Sequence, residues 1–160
     1  GMKIAYVEID TLLAQYNFCI DLNEGMVKKS ENVRLTLNQK ARELDKQKQD
    51  FQTKYQNNAY LSPERAQQEY NRIAKLEQDL QTLSNKLQSE LMSENEKNSL
   101  QLRDSINAFL KEYNKTKGYS MIISNTGFDN LLYADSIYNI TKEIVEGLNA
   151  RYSSDRKSVV

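Results

Sequence analysis

Histidine and tryptophan are both missing from this chain of 160 residues, which also has a single cysteine, Cys19, and a single proline, Pro63. The lack of histidine excludes a histidine-based catalytic triad and a histidine-ligated zinc site, and one cysteine excludes a disulfide within the chain. No run of about 18 apolar residues is present, so no transmembrane helix is expected. We therefore predict no enzymatic activity, no cofactor and no metal site.

An excess of charge of either sign is also lacking. Lys and Arg together number 22, Asp and Glu together number 22, and the formal net charge is zero. A protein that binds nucleic acid through bulk basicity carries a strong positive charge. We therefore predict no nucleic-acid partner. Contact with a membrane surface stays open but gains no support from the net charge.

Helix-breaking residues are nearly absent between Met26 and Lys117, where Pro63 stands alone and there is no glycine. This stretch is rich in Gln, Lys, Glu, Leu and Arg, which favour helix. The run Ser62-Pro63-Glu64 is typical of a helix start, with Ser as N-cap, Pro in the first helical position and an acidic residue near the positive end of the helix dipole. The sequence predicts two long helices joined near residues 58–62.

Apolar residues form matching stripes on the two predicted helices. On the first helix they follow a 4-3-7-4 spacing from Leu37 to Tyr55, as on the seam of a coiled coil. The stripes mirror each other, because the residue numbers add up to 124 in the pairs Leu37 and Leu87, Ala41 and Leu83, Leu44 and Leu80, Phe51 and Ile73, and Val33 and Leu91. This register predicts an antiparallel hairpin with about 60 Å of helix in each direction.

Residues suited to β-strands lie outside the hairpin, at both ends of the chain. We predict strands at residues 3–10, 119–124 and 131–134, whose body and interface residues are Ile4, Tyr6, Val7, Ile122, Ile123, Leu132 and Tyr133. A short helix at 11–16, capped by Asp10 or Thr11, follows the first strand. A final helix capped by Asn139 follows the last one, and the tail at 153–160 is expected to fray.

The predicted fold class is α+β, with a small β-rich body and a long antiparallel coiled-coil arm. Residues 1–20 and 114–152 form the body, and residues 21–113 form the arm, with its tip near 58–63. A body of about 60 residues has a marginal core. Its strand edges need partners, and self-association is the simplest way to supply them.

Three motifs in this order resemble the Skp/OmpH family of periplasmic chaperones. The run Ile4-Ala5-Tyr6-Val7-Glu8-Ile9-Asp10 with Leu12-Leu13 resembles the opening strand of that family, and Gly118-Tyr119 is similar to its glycine-aromatic strand entry after the second long helix. The segment from Leu132-Tyr133-Ala134-Asp135 to Leu148-Asn149 resembles its closing motif. Asn139 stands where the family usually has Asp, and both residues cap helices comparably. The resemblance covers essentially the whole chain.

This resemblance implies a homotrimer with helical arms around a cavity, which holds unfolded outer-membrane β-barrel proteins, its clients, without ATP. The resemblance also implies a periplasmic location, with the signal peptide removed. The start Gly1-Met2 is typical of an engineered terminus, so the missing signal peptide says nothing about the compartment. The best-known members are markedly basic, whereas residues 21–113 hold 15 Lys and Arg and 15 Asp and Glu. We therefore predict client binding mostly without charge attraction.

Two alternative functions stay open beside this one. A prefoldin-like chaperone also carries coiled-coil arms, but its β-hairpin lies between the helices, whereas here the strands lie outside them. A structural coiled-coil adaptor that binds one defined partner would need no cavity. Binding of several unrelated clients would separate a chaperone from an adaptor.

Candidate client contacts lie at the predicted tip and at the root of the arm. Tyr60 and Leu61 stand in the turn and are the best candidates, because tyrosine makes adaptable contacts at low entropic cost. Phe51, Tyr55 and Tyr70 are expected chiefly to fill the seam, with Tyr55 kept as a candidate. Two methionines at the root of the arm, Met26 and Met92, complete the set. Methionine adapts to varied partners, although core packing explains these two residues better.

A polar gap interrupts the seam near the root of the arm. Lys28 to Glu31 stand opposite residues 93–99 in the mirrored register, and neither segment supplies apolar residues there. We interpret the gap as a hinge between arm and body, with an ordinary solvated helix pair as the alternative. The hinge candidates are Gly25, Lys28, Ser30, Asn95 and Asn98.

Overall fold

Long helices and one small sheet make up the fold. The computed structural model describes the backbone of residues 1–159 and the side chains of residues 1–157. In chain order the elements are β1 (Ile4–Glu8), α1 (Ile9–Gln15), α2 (Asn17–Gln56), α3 (Pro63–Lys117), β2 (Met121–Asn125), a 3-10 turn (Ser136–Tyr138) and α4 (Thr141–Val159). A long helical arm and a two-stranded sheet built from the chain ends confirm the predicted fold class.

The chain divides into two compact units. The body is Gly1–Gly25 together with the residues from Glu96 onward, and the arm is Met26–Asn95. The long helices α2 and α3 each run without a break from one unit into the other. No helix among the described residues is both long enough and apolar enough to cross a membrane.

The sheet of the body pairs the two ends of the chain. β1 and β2 are parallel, in register from Ile4 opposite Met121 to Glu8 opposite Asn125. A parallel pair needs a long crossover connection, which the two long helices supply here. On its other side β1 bonds to the start of α4, where the backbone N–H of Ile140 donates to the carbonyl of Tyr6 at 3.0 Å. Within the described residues β2 pairs with β1 alone, so its second edge is free.

The core of the body lies between the sheet, α1 and α4. Its fully buried side chains include Leu12, Ile144 and Leu148. Residues of α3 that the sequence assigns to the arm pack against this core, namely Leu102, Ile106, Phe109, Leu110 and Tyr113. The core of the body is therefore larger than its predicted segments would allow, because it includes one face of α3.

The predicted strand at 131–134 is absent. Leu132 and Tyr133 are 81% and 87% exposed in a loop. The turn that follows β2 is held by the side chain of Asn125, whose Oδ1 accepts from the backbone N–H of Leu131 at 3.0 Å. The segment finds no partner strand among the described residues, and strand-forming residues without a partner do not make a strand.

The predicted start and cap of the first helix are also wrong. The first helix begins at Ile9 rather than at residue 11, and its N-cap is Glu8, which makes no side-chain cap hydrogen bond. Neither Asp10 nor Thr11 therefore caps it. Helix α4 includes the tail as far as Val159, and residue 160 lies outside the described residues, so the fraying of the tail stays a prediction. Asn139 does stand at the start of α4, where its Oδ1 accepts from the backbone N–H of Thr141 at 3.0 Å.

In the arm, α2 and α3 pair in antiparallel fashion. Ion pairs join Lys48 to Glu77 at 2.9 Å and Lys29 to Glu94 at 2.5 Å, close to the mirrored register. Leu44 is buried, as is Ile73. The other paired seam residues are at least half-buried: Val33, Leu37, Ala41, Phe51, Leu80, Leu83, Leu87 and Leu91. This burial confirms the seam.

Local backbone chemistry ends one helix and starts the next at the hairpin tip. Asn58 has a φ of 54°, and the N–H of Ala59 donates to the carbonyl of Lys54 at 2.8 Å, which is the Schellman pattern at a helix C-terminus. The hydroxyl of Ser62 accepts from the N–H of Arg65 at 3.2 Å, so Ser62 is the N-cap of α3. The helix start predicted at Ser62-Pro63 is confirmed.

Candidate functional site

Four aromatic side chains cluster at the tip of the arm. The ring of Phe51 lies 5.9 Å from that of Tyr55, 5.6 Å from that of Tyr60 and 6.1 Å from that of Tyr70, measured between centroids. These distances are typical of favourable aromatic pairs. Phe51 is half-buried and forms the centre of the group. We call Phe51, Tyr55, Tyr60, Leu61 and Tyr70 the tip cluster.

The outer members of the tip cluster present a large apolar surface. Leu61 is 92% exposed, Tyr55 is 62% exposed and Tyr70 is 57% exposed. The expectation that Tyr55 and Tyr70 fill the seam is therefore wrong. In the mirrored register they stand opposite Glu69 and Lys54, which are charged residues rather than apolar seam partners.

Tyr60 is partly covered, unlike its neighbour Leu61. It is half-buried against Phe51, and this desolvation, followed by the charge of Glu69, raises the pKa of its hydroxyl. Glu69 is itself paired with Arg72 at 2.6 Å. Tyr60 therefore supports the cluster as well as offering part of its surface, while Leu61 is almost wholly free.

Further apolar side chains are exposed along the arm. Met92 is 68% exposed and Met26 is half-buried, so packing accounts for Met26 better than for Met92. The mirrored stripes do not single out Val27 and Leu35, which are also exposed. The sequence does indicate that Leu35 lies off the seam. Its partner in the mirrored register is Ser89, whereas a seam position would have an apolar partner.

The candidate hinge lies in regular helix. α2 is continuous through Gly25, Lys28 and Ser30, and α3 is continuous through Asn95 and Asn98. A Cβ atom built at Gly25 would meet open space, and Asn98 is buried while Lys28, Ser30 and Asn95 are exposed. The division between the two units falls after Gly25 and after Asn95. The hinge stays a prediction.

The body exposes a second apolar surface, on the loop between β2 and α4. Phe128, Leu132, Tyr133 and Ile137 are each at least three-quarters exposed. We call these four side chains the loop patch. The sequence pattern indicated Leu132 and Tyr133, although as strand residues, and missed Phe128 and Ile137. The body also has an apolar cleft of about 380 Å³, lined by residues that include Leu13, Leu102, Ile106 and Ile122.

Side chains that could hold a metal ion or act as a reactive thiol would form another kind of site in the described part of the chain. No group of three or more His, Cys, Asp or Glu side chains there is placed to hold a metal ion. Cys19 is buried, and burial raises the pKa of its thiol, which is the opposite of what a reactive cysteine needs. Cys19 is a small residue of the buried core of the body.

The sequence model of one protein family, described as outer membrane protein (OmpH-like), matches residues 3–148. The chain belongs to the OmpH-like family. This confirms the resemblance carried by the three motifs at the chain ends. A search of curated proteins finds no match.

A solved structure has the same fold as this OmpH-like chain. It comes from Caulobacter crescentus CB15, is proposed to be an outer membrane chaperone (OmpH-like), and superposes with a TM-score of 0.82. The match covers 94% of this chain and 86% of that chain, at 12% sequence identity. At this identity the similarity shows the fold alone. OmpH-like chaperones are bacterial periplasmic proteins of a generally non-enzymatic family, and the family implies outer membrane proteins as clients.

Proposed function

We propose that this OmpH-like protein is an ATP-independent holdase that binds unfolded outer-membrane β-barrel proteins in the periplasm. The observation that carries the proposal is the family match over residues 3–148. The exposed tip cluster supports it, because a holdase needs apolar surface in its folded state. The protein acts by binding alone, without catalysis and without a cofactor.

Clients contact the exposed apolar side chains of the arm. Leu61, Tyr55 and Tyr70 offer the largest such surfaces at the tip, and Met92 offers one near the root. Each contact is weak, since apolar burial contributes about 25 cal/mol per Å². Weak contacts made by several arms at once add up to firm retention, while leaving the client free to pass to a better site. Bending at Gly25, Lys28, Ser30, Asn95 and Asn98 would fit the arms to clients of different size.

Self-association into a homotrimer completes the holdase. The loop patch and the free edge of β2 support this proposal, since exposed strand edges and large apolar patches are seldom left uncovered in soluble proteins. The apolar cleft of the body offers a further surface for a second copy. Three bodies joined in this way would bring three arms around one client.

Charge attraction contributes little to client binding. The two cross-helix ion pairs, Lys29 with Glu94 and Lys48 with Glu77, together with Arg34–Glu31 and Arg72–Glu69, join opposite charges within the arm. Surface ion pairs of this kind add little to stability, but they leave no strong field of one sign. A client is therefore held through apolar and aromatic contacts.

Suppression of aggregation tests the proposed function. We expect the protein to keep several unrelated unfolded β-barrel proteins soluble on dilution from denaturant. The effect should be nearly equal at about 0.1 M and about 1 M salt, where the Debye length falls from about 10 Å to about 3 Å. Protection of one partner alone would favour the structural adaptor, and protection that collapses at high salt would contradict binding through apolar contacts.

A further inference from the structure

The last helix continues well beyond the stretch that matches the family. The match ends at residue 148, whereas α4 runs to Val159. Leu148 is the last fully buried core residue, and the following turns carry Asn149, Tyr152 and Arg156. These three residues are spaced three and four apart, so they share one face of the helix. All three contact the residues where α1 ends and α2 begins.

Asn149 bridges the break between α1 and α2. α1 ends at Gln15, α2 begins at Asn17, and Tyr16 between them has an extended backbone with φ −76° and ψ 115°. The Asn149 side-chain amide donates from Nδ2 to the carbonyl of Gln15 at 3.0 Å, and its Oδ1 accepts from the N–H of Asn17 at 2.7 Å. Helix ends leave such backbone groups without partners inside the helix. One side chain therefore pairs one group from each of two helices.

Tyr152 and Arg156 extend this contact along the first turns of α2. The ring of Tyr152 lies 5.1 Å from the ring of Phe18, and its hydroxyl donates to Oδ2 of Asp21 at 2.6 Å. Burial and this hydrogen bond raise the pKa of Tyr152 to about 12. A guanidinium nitrogen of Arg156 lies 3.4 Å from the same carboxylate oxygen. The contacts combine hydrogen bonds and an ion pair with aromatic packing, because the ring of Tyr152 also packs against the core and lies 6.4 Å from the ring of Tyr16.

We propose that Asn149, Tyr152 and Arg156 form a clasp that positions the root of α2, residues 17–25, on the body. The clasp orders the helix break at Tyr16, the point from which α2 continues toward the arm. The clasp is a property of the body, and its presence does not depend on client binding.

Hydrogen exchange of the full chain tests the clasp. In Asn149→Ala, the N–H of Asn17 loses its acceptor, and the N–H of Ile20 donates to the carbonyl of Tyr16 at the helix break. We expect these two amides to exchange about tenfold faster. The matched control is Asn107→Ala, which removes an exposed asparagine from α3 and is expected to leave these amides unchanged. Unchanged exchange at Asn17 and Ile20 in Asn149→Ala would overturn the proposal.

A second variant separates positioning from loss of stability. Asn149→Asp keeps an oxygen that accepts from the N–H of Asn17 and loses the donor to the carbonyl of Gln15, while a carboxylate is favourable at a helix N-terminus. We expect it to restore slow exchange at Asn17 to within about twofold of the unchanged protein. If Asn149→Ala instead speeds exchange equally in β1, α4 and the root of α2, the residue only stabilises the body and the proposal fails.

Discussion

Replacing Tyr55, Leu61 and Tyr70 together with serine is expected to weaken client binding at least tenfold. The three side chains present the most exposed apolar surface of the tip cluster. If each buries a few tens of Å² against a client, together they contribute about 1.5 kcal/mol, which is about tenfold in affinity. Phe51 is left in place, so the helices should still pair. The measurement is the dissociation constant for a fluorescent unfolded β-barrel client, with circular dichroism as a check on the fold.

A second triple variant at the same tip is the matched control. Gln52, Gln56 and Gln67 are exposed amide side chains close to the tip cluster in sequence. Replacing these three with serine removes polar surface and keeps every aromatic ring, so client affinity should stay within about twofold of the unchanged protein. Equal losses in the two variants would show that the apolar surface is not what binds. No loss in the aromatic variant would place the client elsewhere on the molecule.

Leu148→Ala is expected to cost the body about 3 kcal/mol of stability. The side chain is fully buried among Leu12, Ile144 and Val145, and removing buried methyl groups loses their transfer free energy and leaves a cavity. Leu100→Ala is the control, because Leu100 lies on α3 within the body unit and is 51% exposed. It should lose less than about 1 kcal/mol.

Denaturant unfolding followed by circular dichroism measures both variants under the same conditions. The difference in unfolding free energy between the two variants tests whether Leu148 lies in the core of the body. Similar losses at Leu148 and Leu100 would contradict that core. A change in the slope of the unfolding free energy against denaturant concentration, rather than in the midpoint alone, would show that Leu148→Ala also changes the surface exposed on unfolding.

The arm could be predicted from the sequence because its fold depends on a one-dimensional pattern. The seam from Val33 to Phe51 and its mirror from Ile73 to Leu91 show the helices, their pairing and their direction without any other part of the chain. The tip followed from Ser62 and Pro63 for the same reason. The exposure of Tyr55 and Tyr70 was harder to predict, because both fit the spacing of the seam but lack apolar partners at the mirrored positions.

The body was harder to predict, because its elements depend on partners distant in sequence. Leu132 and Tyr133 have the residue types of a strand, but nothing in the described chain pairs with them. Asn149 and Tyr152 were missed as structural residues, because their contacts reach residues more than 130 positions away. No local spacing indicates that an asparagine on the last helix bonds to the break between the first two.

The molecular mass in solution tests the central claim most directly, since a holdase that encloses a client needs several arms in one particle. Light scattering at micromolar concentration should give about three times the 18.6 kDa of the single chain. Aspartate at Leu132 and at Tyr133 should lower that mass, because the loop patch would then carry charge into the interface. A mass of one chain for the unchanged protein would contradict the account, because a single arm cannot surround a client.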